Sequence, residues 1–288
     1  MLRVGKPTFA LLGAIALSAC SSAKPAAHTG TTSTSAAPST TFVHSSTSTT
    51  IASAFPSVVT AAMKSIGSTK APLVAPRDIP LPPSVIALSA TTTSNSTSWS
   101  IDLYATPIPL AVNDPSLSKP PYGPSGPSHV GTFGASQSSS AASATAALDA
   151  QAANLDHDCR SQLSPVSLGV GISAQRCANG TGTTFLWTEG DWHIGVDTSN
   201  SAGPADTQLA NQIASYLHTA YLPAPSSVGV IAATATGGPQ ATSPSSTIPG
   251  TATTTVTIDW AVGATTLHFS DDLDALGGLR MAVSEAPY

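Results

Sequence analysis

The chain has 288 residues, of which 9% are charged and 5% aromatic, with a net charge of −5. An average soluble domain is about a quarter charged, whereas here Ser, Thr, Ala and Pro fill that share, side chains that build neither a dense core nor a charged site. With 10 Lys and Arg against 15 Asp and Glu there is no basic field for a phosphate backbone, so no nucleic-acid partner is expected.

At the N-terminus Arg3 and Lys6 precede an apolar run, Phe9 to Leu17, in the charged-then-apolar order of a secretory signal and too short to span a bilayer. The run ends in Leu17-Ser18-Ala19-Cys20. These residues resemble the lipobox of bacterial lipoproteins. That resemblance implies cleavage before Cys20, acylation of its thiol by diacylglycerol and retention on the outer face of the cell membrane by lipid alone. Residues 1–19 are thus expected to be a lipoprotein signal peptide, and the partners implied are the membrane, reached through the lipid, and cell-wall or other envelope components.

Residues 20–54 read as a disordered tether of Ser, Thr, Ala and Pro, in which Lys24 is the only Lys, Arg, Asp or Glu. Its end-to-end distance should be on the order of 30 Å, with a fully extended reach of about 115 Å. Dense Ser and Thr also make it a possible substrate for glycosylation. With Cys20 given to lipid, Cys159 and Cys177 remain, an even pair expected to form a disulfide in an oxidising compartment. The cluster Asp156-His157-Asp158-Cys159 offers metal-ligand types but lacks a second cluster to complete a site, so no metal is expected.

Residues 55–288 read as the folded part. Phe55, Val58, Val59, Ala62, Met63 and Ile66 recur at helical spacing before Gly67. Pro-rich chain from Ala71 to Pro83 should be extended. Ser84 to Thr91 and Ser98 to Ala105 read as paired strands, with Trp99, Ile101 and Leu103 alternating against Ser100, Asp102 and Tyr104. A Pro, Gly and Ser excursion follows from Thr106 to Ser128, then an Ala-rich helix from Ser138 to Leu155.

The C-terminal half repeats itself. Trp187, Gly190, Ile194 and Val196 are matched in spacing and type by Trp260, Gly263, Leu267 and Phe269. Each set fits a hairpin turning at Gly-X, Gly190-Asp191 or Gly263-Ala264, with Gly supplying the positive φ of a type II′ turn. That register sets Trp187 opposite Ile194 and Trp260 opposite Leu267. A strand should precede each hairpin, one from Val166 through Leu168 and Val170 to Ile172, the other starting at Val228 and Val230. A helix should follow each, opened by Pro204 and Asp206 in the first copy and by Asp271 and Asp272 in the second. A Pro and Gly linker, Gly237 to Gly250, interrupts the second copy. The fold class is therefore α+β: an antiparallel sheet with helices on one face and two strand-hairpin-helix units, about 164–222 and 226–288. The order of elements is similar to that of largely uncharacterised secreted domains of bacterial envelope proteins, and to the PsbP-like fold of some mycobacterial lipoproteins. Neither resemblance brings catalytic residues with it.

The sequence contains no His-Glu-x-x-His helix, P-loop, dinucleotide-binding glycine pattern or Gly-x-Ser-x-Gly elbow. Ser116-Leu117-Ser118-Lys119 has a penicillin-enzyme spacing without its downstream Lys-Thr-Gly, and Asp197-Thr198-Ser199 mimics an aspartic-protease motif without a second copy. Trp99, Trp187 and Trp260 read as core. The contacts left for a ligand are Glu189, Asp191, Trp192 and His193 around the first hairpin tip, with Trp192 exposed. The expectation is a non-catalytic binding or scaffolding lipoprotein without a cofactor. The alternatives are a carrier of a lipid or other apolar ligand, with its cavity between sheet and helices, and an envelope hydrolase. Few ionisable groups also means few protonation events, so stability should survive at pH 3.

Overall fold

The computed structural model describes residues 55–288 apart from 82, 124–125, 127, 156–158, 160–162, 180–181, 200–205, 237–252 and 275. The expected signal segment, Cys20, the tether and the linker from Gly237 to Gly250 lie outside the described residues.

In chain order, α1 (Ser57–Ser65) and β1 (Val74–Pro76) precede β2 (Ala87–Ser94), β3 (Ser98–Thr106), β4 (His129–Gln137) and α2 (Ala141–Asn154). Next come β5 (Ser164–Ser167), β6 (Ser173–Asn179), β7 (Gly182–Glu189), β8 (Trp192–Ser199) and α3 (Asp206–Leu217). The chain finishes with β9 (Gly229–Thr236), β10 (Thr253–Val262), β11 (Thr265–Asp271), α4 (Gly277–Val283) and β12 (Glu285–Pro287). Ten strands form one sheet in the order β2-β3-β4-β11-β10-β9-β8-β7-β6-β5, and β1 pairs separately with β12. Every neighbouring pair is antiparallel except β8 and β9, which are parallel. A parallel pair needs a crossover, and α3 lies on it. The sheet is therefore mixed and far larger than two hairpin units, although a three-strand meander followed by a helix recurs in β2-β3-β4-α2, β6-β7-β8-α3 and β9-β10-β11-α4.

Both hairpins have the expected register. Trp187 faces Ile194 and Phe185 faces Val196; Trp260 faces Leu267 and Ile258 faces Phe269. Gly190 and Gly263 take φ of 57° and 62° while Asp191 and Ala264 stay at negative φ, the signature of a type II′ turn. The two expected strands do pair, but the first runs from Ala87 to Ser94 rather than from Ser84 to Thr91, with Ala90 opposite Leu103 and Ser94 opposite Trp99.

Two expectations about elements are corrected. The alternating run Val166 to Ile172 is not one strand: β5 stops at Ser167, and Gly169, Val170 and Gly171 all adopt positive φ in a reversal that starts β6. The last helix does not open at Asp271. That residue ends β11, and its Oδ1 accepts the backbone N–H groups of Leu273 (2.7 Å) and Asp274 (2.8 Å), holding a turn before α4 begins at Gly277. A short polar side chain that satisfies nearby N–H groups favours a turn over helical continuation.

The placement of helices on one face is corrected as well. The buried residues of α1, α3 and α4 share one core with Ile101, Phe133, Phe269, Ile231 and Ile194. Helix α2 instead buries Ala144 and Leu148 against Val230 and Ala261. These stand one residue from Ile231 and Trp260, and the two-residue period of a strand sends them to the opposite side. The sheet thus has an inner face that carries the main core and an outer face on which α2 lies.

A row of rings runs across the inner face. Trp192 lies 6.0 Å from Trp260, Trp260 5.4 Å from Phe269, Phe269 6.0 Å from Phe133 and Phe133 6.0 Å from Trp99. Gly229 of β9 makes room for it, since a Cβ there would sit 2.5 Å from the Trp192 ring. On β6, next to the edge strand β5, Cys177 forms the expected disulfide with Cys159, their Cα atoms 5.6 Å apart.

Candidate functional site

The residues around the first hairpin tip do not converge on one site. Glu189 Oε1 accepts a hydrogen bond from Trp187 Nε1 at 2.9 Å. Asp191 is exposed in the turn, and its carbonyl accepts Gly229 N–H, tying the tip to β9. Trp192 is not the exposed contact expected of it: only 7% of the residue is accessible, because it shares the side of β8 that carries Ile194 and Val196 and packs on Trp260. His193 points the other way and is exposed. Glu189 and Trp192 border a shallow pocket of about 160 Å³, closed by Leu217, Tyr221 and Leu222.

The look-alike motifs have structural roles. Asp114 Oδ1 accepts Ser116 N–H and Oγ–H at the start of a 3₁₀ turn, Pro115–Ser118, which buries Leu117. Asp197 accepts the Thr184 hydroxyl across the β7–β8 pair. Asp156, His157 and Asp158 lie outside the described residues, and Cys159 is spent on the disulfide. Among the described residues no group of three His, Cys, Asp or Glu is placed to hold a metal, and no helix is long and apolar enough to cross a membrane.

The charged centre of the molecule was not legible from spacing. His129 begins β4, its side chain 6% exposed, with Nδ1 2.6 Å from Asp272 and Nε2 3.6 Å from Asp102. Nε2 is also 3.3 Å from Thr132 Oγ1, which donates to Asp102 Oδ1 at 2.7 Å. Residues 129 and 132 would face opposite sides of a regular strand, but the register shifts at Leu103/Tyr104 so that Tyr104 pairs with His129. That bulge turns His129 onto the side of Asp102 and Thr132. Burial pulls the imidazole pKa down, yet the hydrogen bonds and charges of Asp102 and Asp272 outweigh it and hold the pKa at about 9. The Asp102 carboxyl is lowered despite its own burial, by His129 and Thr132. On β10 and β11, His268 Nδ1 is 2.7 Å from Asp259, and its pKa is raised by that contact against the effect of burial.

An imidazolium with a pKa near 9 has no free lone pair at neutral pH and cannot act as a base there. His129 is instead a buried cation set between two carboxylates, the part Lys or Arg usually takes. Among the described residues every ion pair joins a histidine to an aspartate.

The outer face carries a groove beside α2. It holds about 400 Å³ between Ala152 and Leu155 of the helix end, Leu163, and the strand residues Leu186 and Trp187, with Gln175, Thr188 and His193 supplying polar groups. This volume falls within the usual range for a small-ligand pocket. The inner face offers no such space in the aromatic row, where ring centres are 5.4 to 6.0 Å apart.

Comparison with protein families, with curated proteins and with solved structures finds nothing that matches this chain.

Proposed function

We propose that this chain is a bacterial lipoprotein, held by a lipid on Cys20 at the extracytoplasmic face of the cell membrane, whose folded body binds or scaffolds envelope material without catalysis. The observation that carries the location is the run from Arg3 and Lys6 through the apolar segment to Leu17-Ser18-Ala19-Cys20. The disulfide supports it twice: such bonds persist in oxidising compartments, and pairing Cys159 with Cys177 leaves Cys20 as the remaining thiol. Against catalysis stands the chemistry of the ionisable groups: His129, held as a cation between two aspartates, offers no lone pair at neutral pH, and Glu189 and Asp197 accept hydrogen bonds from Trp187 and Thr184 within the sheet.

Growth with an alkyne fatty acid, followed by dye coupling, should label the wild-type chain in the membrane fraction. Cys20→Ser should lose both label and membrane association. An unlabelled wild-type chain contradicts the reading.

A second reading, carriage of an apolar ligand, is favoured by the groove beside α2, which is Leu-rich and rimmed by polar groups. Solvent extraction of the purified protein should then release a bound amphiphile, and Leu186→Glu should abolish its retention.

A further inference from the structure

The row of rings on the inner face ends at Trp192, where the core gives way to the small pocket of about 160 Å³ at the first hairpin tip. Glu189 and Trp192 are the pair that closes the hairpin, so their side chains project to the same side of the sheet. The C-terminal end of α3 covers them. Leu217 ends that helix, and Tyr221 and Leu222 from the segment after it complete the wall opposite Ile194 of β8.

Two polar groups at this pocket have no partner among the described residues. The indole N–H groups of Trp99 and Trp187 are bonded, to Pro72 O and Glu189 Oε1. That of Trp192 is not, although only 7% of the residue is accessible. It is not sealed in the core as the equally unbonded Nε1 of Trp260 is, and the pocket is the opening that Trp192 borders. Glu189 accepts from Trp187 through Oε1 alone, which leaves Oε2 free.

A free donor on a nearly buried indole, next to a free carboxylate oxygen, calls for a ligand that supplies an acceptor and a donor side by side. The local charge makes that donor a cation. The lining holds one carboxylate and no basic residue, and the end of α3 adds the negative pole of the helix dipole. Leu217, Leu222 and Ile194 call for an apolar body between them. Size sets the last limit: 160 Å³ is roughly the share of five water molecules and below the range for whole small-molecule ligands. The pocket therefore admits the end of a chain whose remainder leaves through the mouth.

These requirements meet in the amino end of a peptide, where an ammonium and a carbonyl flank one Cα and its side chain. We infer that the pocket between the first hairpin tip and α3 captures the amino-terminal residue of a peptide whose first side chain is apolar. The ammonium donates to Glu189 Oε2, the first carbonyl accepts Trp192 Nε1–H, and the side chain packs on Leu217 and Leu222. This site deepens the binding role proposed above and rests on that reading for the ligand's source, an extracytoplasmic peptide.

The test is calorimetric titration of the full-length chain in detergent, at a pH below the α-amino pKa of about 8. The probes are the tripeptide Leu-Ala-Ala, its N-acetyl form, Asp-Ala-Ala and leucinamide. Leu-Ala-Ala should bind, and leucinamide, which carries the same ammonium, carbonyl and side chain, should bind within about tenfold of it. N-acetylation and the acidic first residue should each weaken binding by about tenfold or more. Glu189→Gln, which keeps an acceptor for Trp187, and Trp192→Phe, which keeps a ring, should do the same, with thermal melting as the check on folding. Gln175→Ala, in the groove beside α2, should leave binding unchanged. If Trp192→Phe does not fold, Glu189→Gln and the N-acetyl peptide decide alone. No binding of Leu-Ala-Ala, equal binding of its N-acetyl form, or binding indifferent to Glu189→Gln overturns the inference. So does binding of leucinamide without the tripeptide, which would put a free amino-acid derivative in the pocket. A chain that carries lipid but binds no peptide removes the pocket and leaves the anchor; a chain that binds peptide without lipid does the reverse.

Discussion

His129 replaces a basic side chain in a protein that has few, and its protonation is therefore a stability matter. A group whose folded pKa of about 9 exceeds its unfolded 6.5 stabilises fully below the lower value and loses that contribution as pH rises through the higher one. The shift corresponds to roughly 2 kcal/mol once discounted for solvent screening. Thermal melts between pH 7 and pH 10 should show wild-type stability falling, whereas His129→Gln should be less stable at pH 7 and nearly flat over the same range. A wild-type curve as flat as the variant's would refute the clamp. Asp271 runs the opposite way. It is fully buried, burial raises its pKa to about 6 against the two backbone N–H groups it accepts, and Oδ2 has no hydrogen-bond partner. Its folded pKa lies above the unfolded 3.8, so its contribution is favourable in acid and lost as pH rises through about 6. Asp271→Asn should therefore stabilise the protein by roughly 1–3 kcal/mol at pH 7.5 and by little at pH 4. Equal effects at both pH values would show that the carboxyl is not desolvated.

At the scale of elements, the inner face depends on a glycine in one strand yielding space to an indole in the next. Trp192→Ala should cost about 3–5 kcal/mol in chemical denaturation, as for a buried aromatic. Gly229→Ala should also destabilise, because its new Cβ would press on the Trp192 ring. Were Trp192 an exposed contact, both changes would be nearly neutral. The two Gly-X hairpins were readable because turn chemistry and two-residue alternation agree there, residue by residue. β4 was not, since His-Val-Gly-Thr-Phe-Gly-Ala-Ser-Gln carries two glycines that read as breaks. In the sheet both allow close backbone approach: a Cβ at Gly131 would sit 2.1 Å from Ser270 O, and one at Gly134 2.5 Å from Trp99 O. A missed central strand also hid the site, because His129 stands at its start and meets Asp102 and Asp272 only through the bulge and the β4–β11 pairing.

Taken as a whole, the folded body is a sheet with the main core on its inner face and α2 on its outer face, and among the described residues its ion pairs each join a histidine to an aspartate. Acidification to pH 3 acts on it in opposing directions. Asp102 loses its contribution as pH falls through its lowered pKa, while protonation of Asp271 is favoured by burial. The melting temperature at pH 3 should therefore lie only modestly below that at pH 7, and unfolding at pH 3 would refute this balance. Such a body would need no helix through the bilayer if a lipid held it, and the proposed anchor on Cys20 would keep it outside the cell. Mass spectrometry of the N-terminal peptide from the membrane-extracted protein tests that claim most directly. The account predicts a chain beginning at Cys20 with diacylglycerol on its sulfur; a chain that retains Met1, or one that begins at Cys20 with a bare thiol, contradicts it.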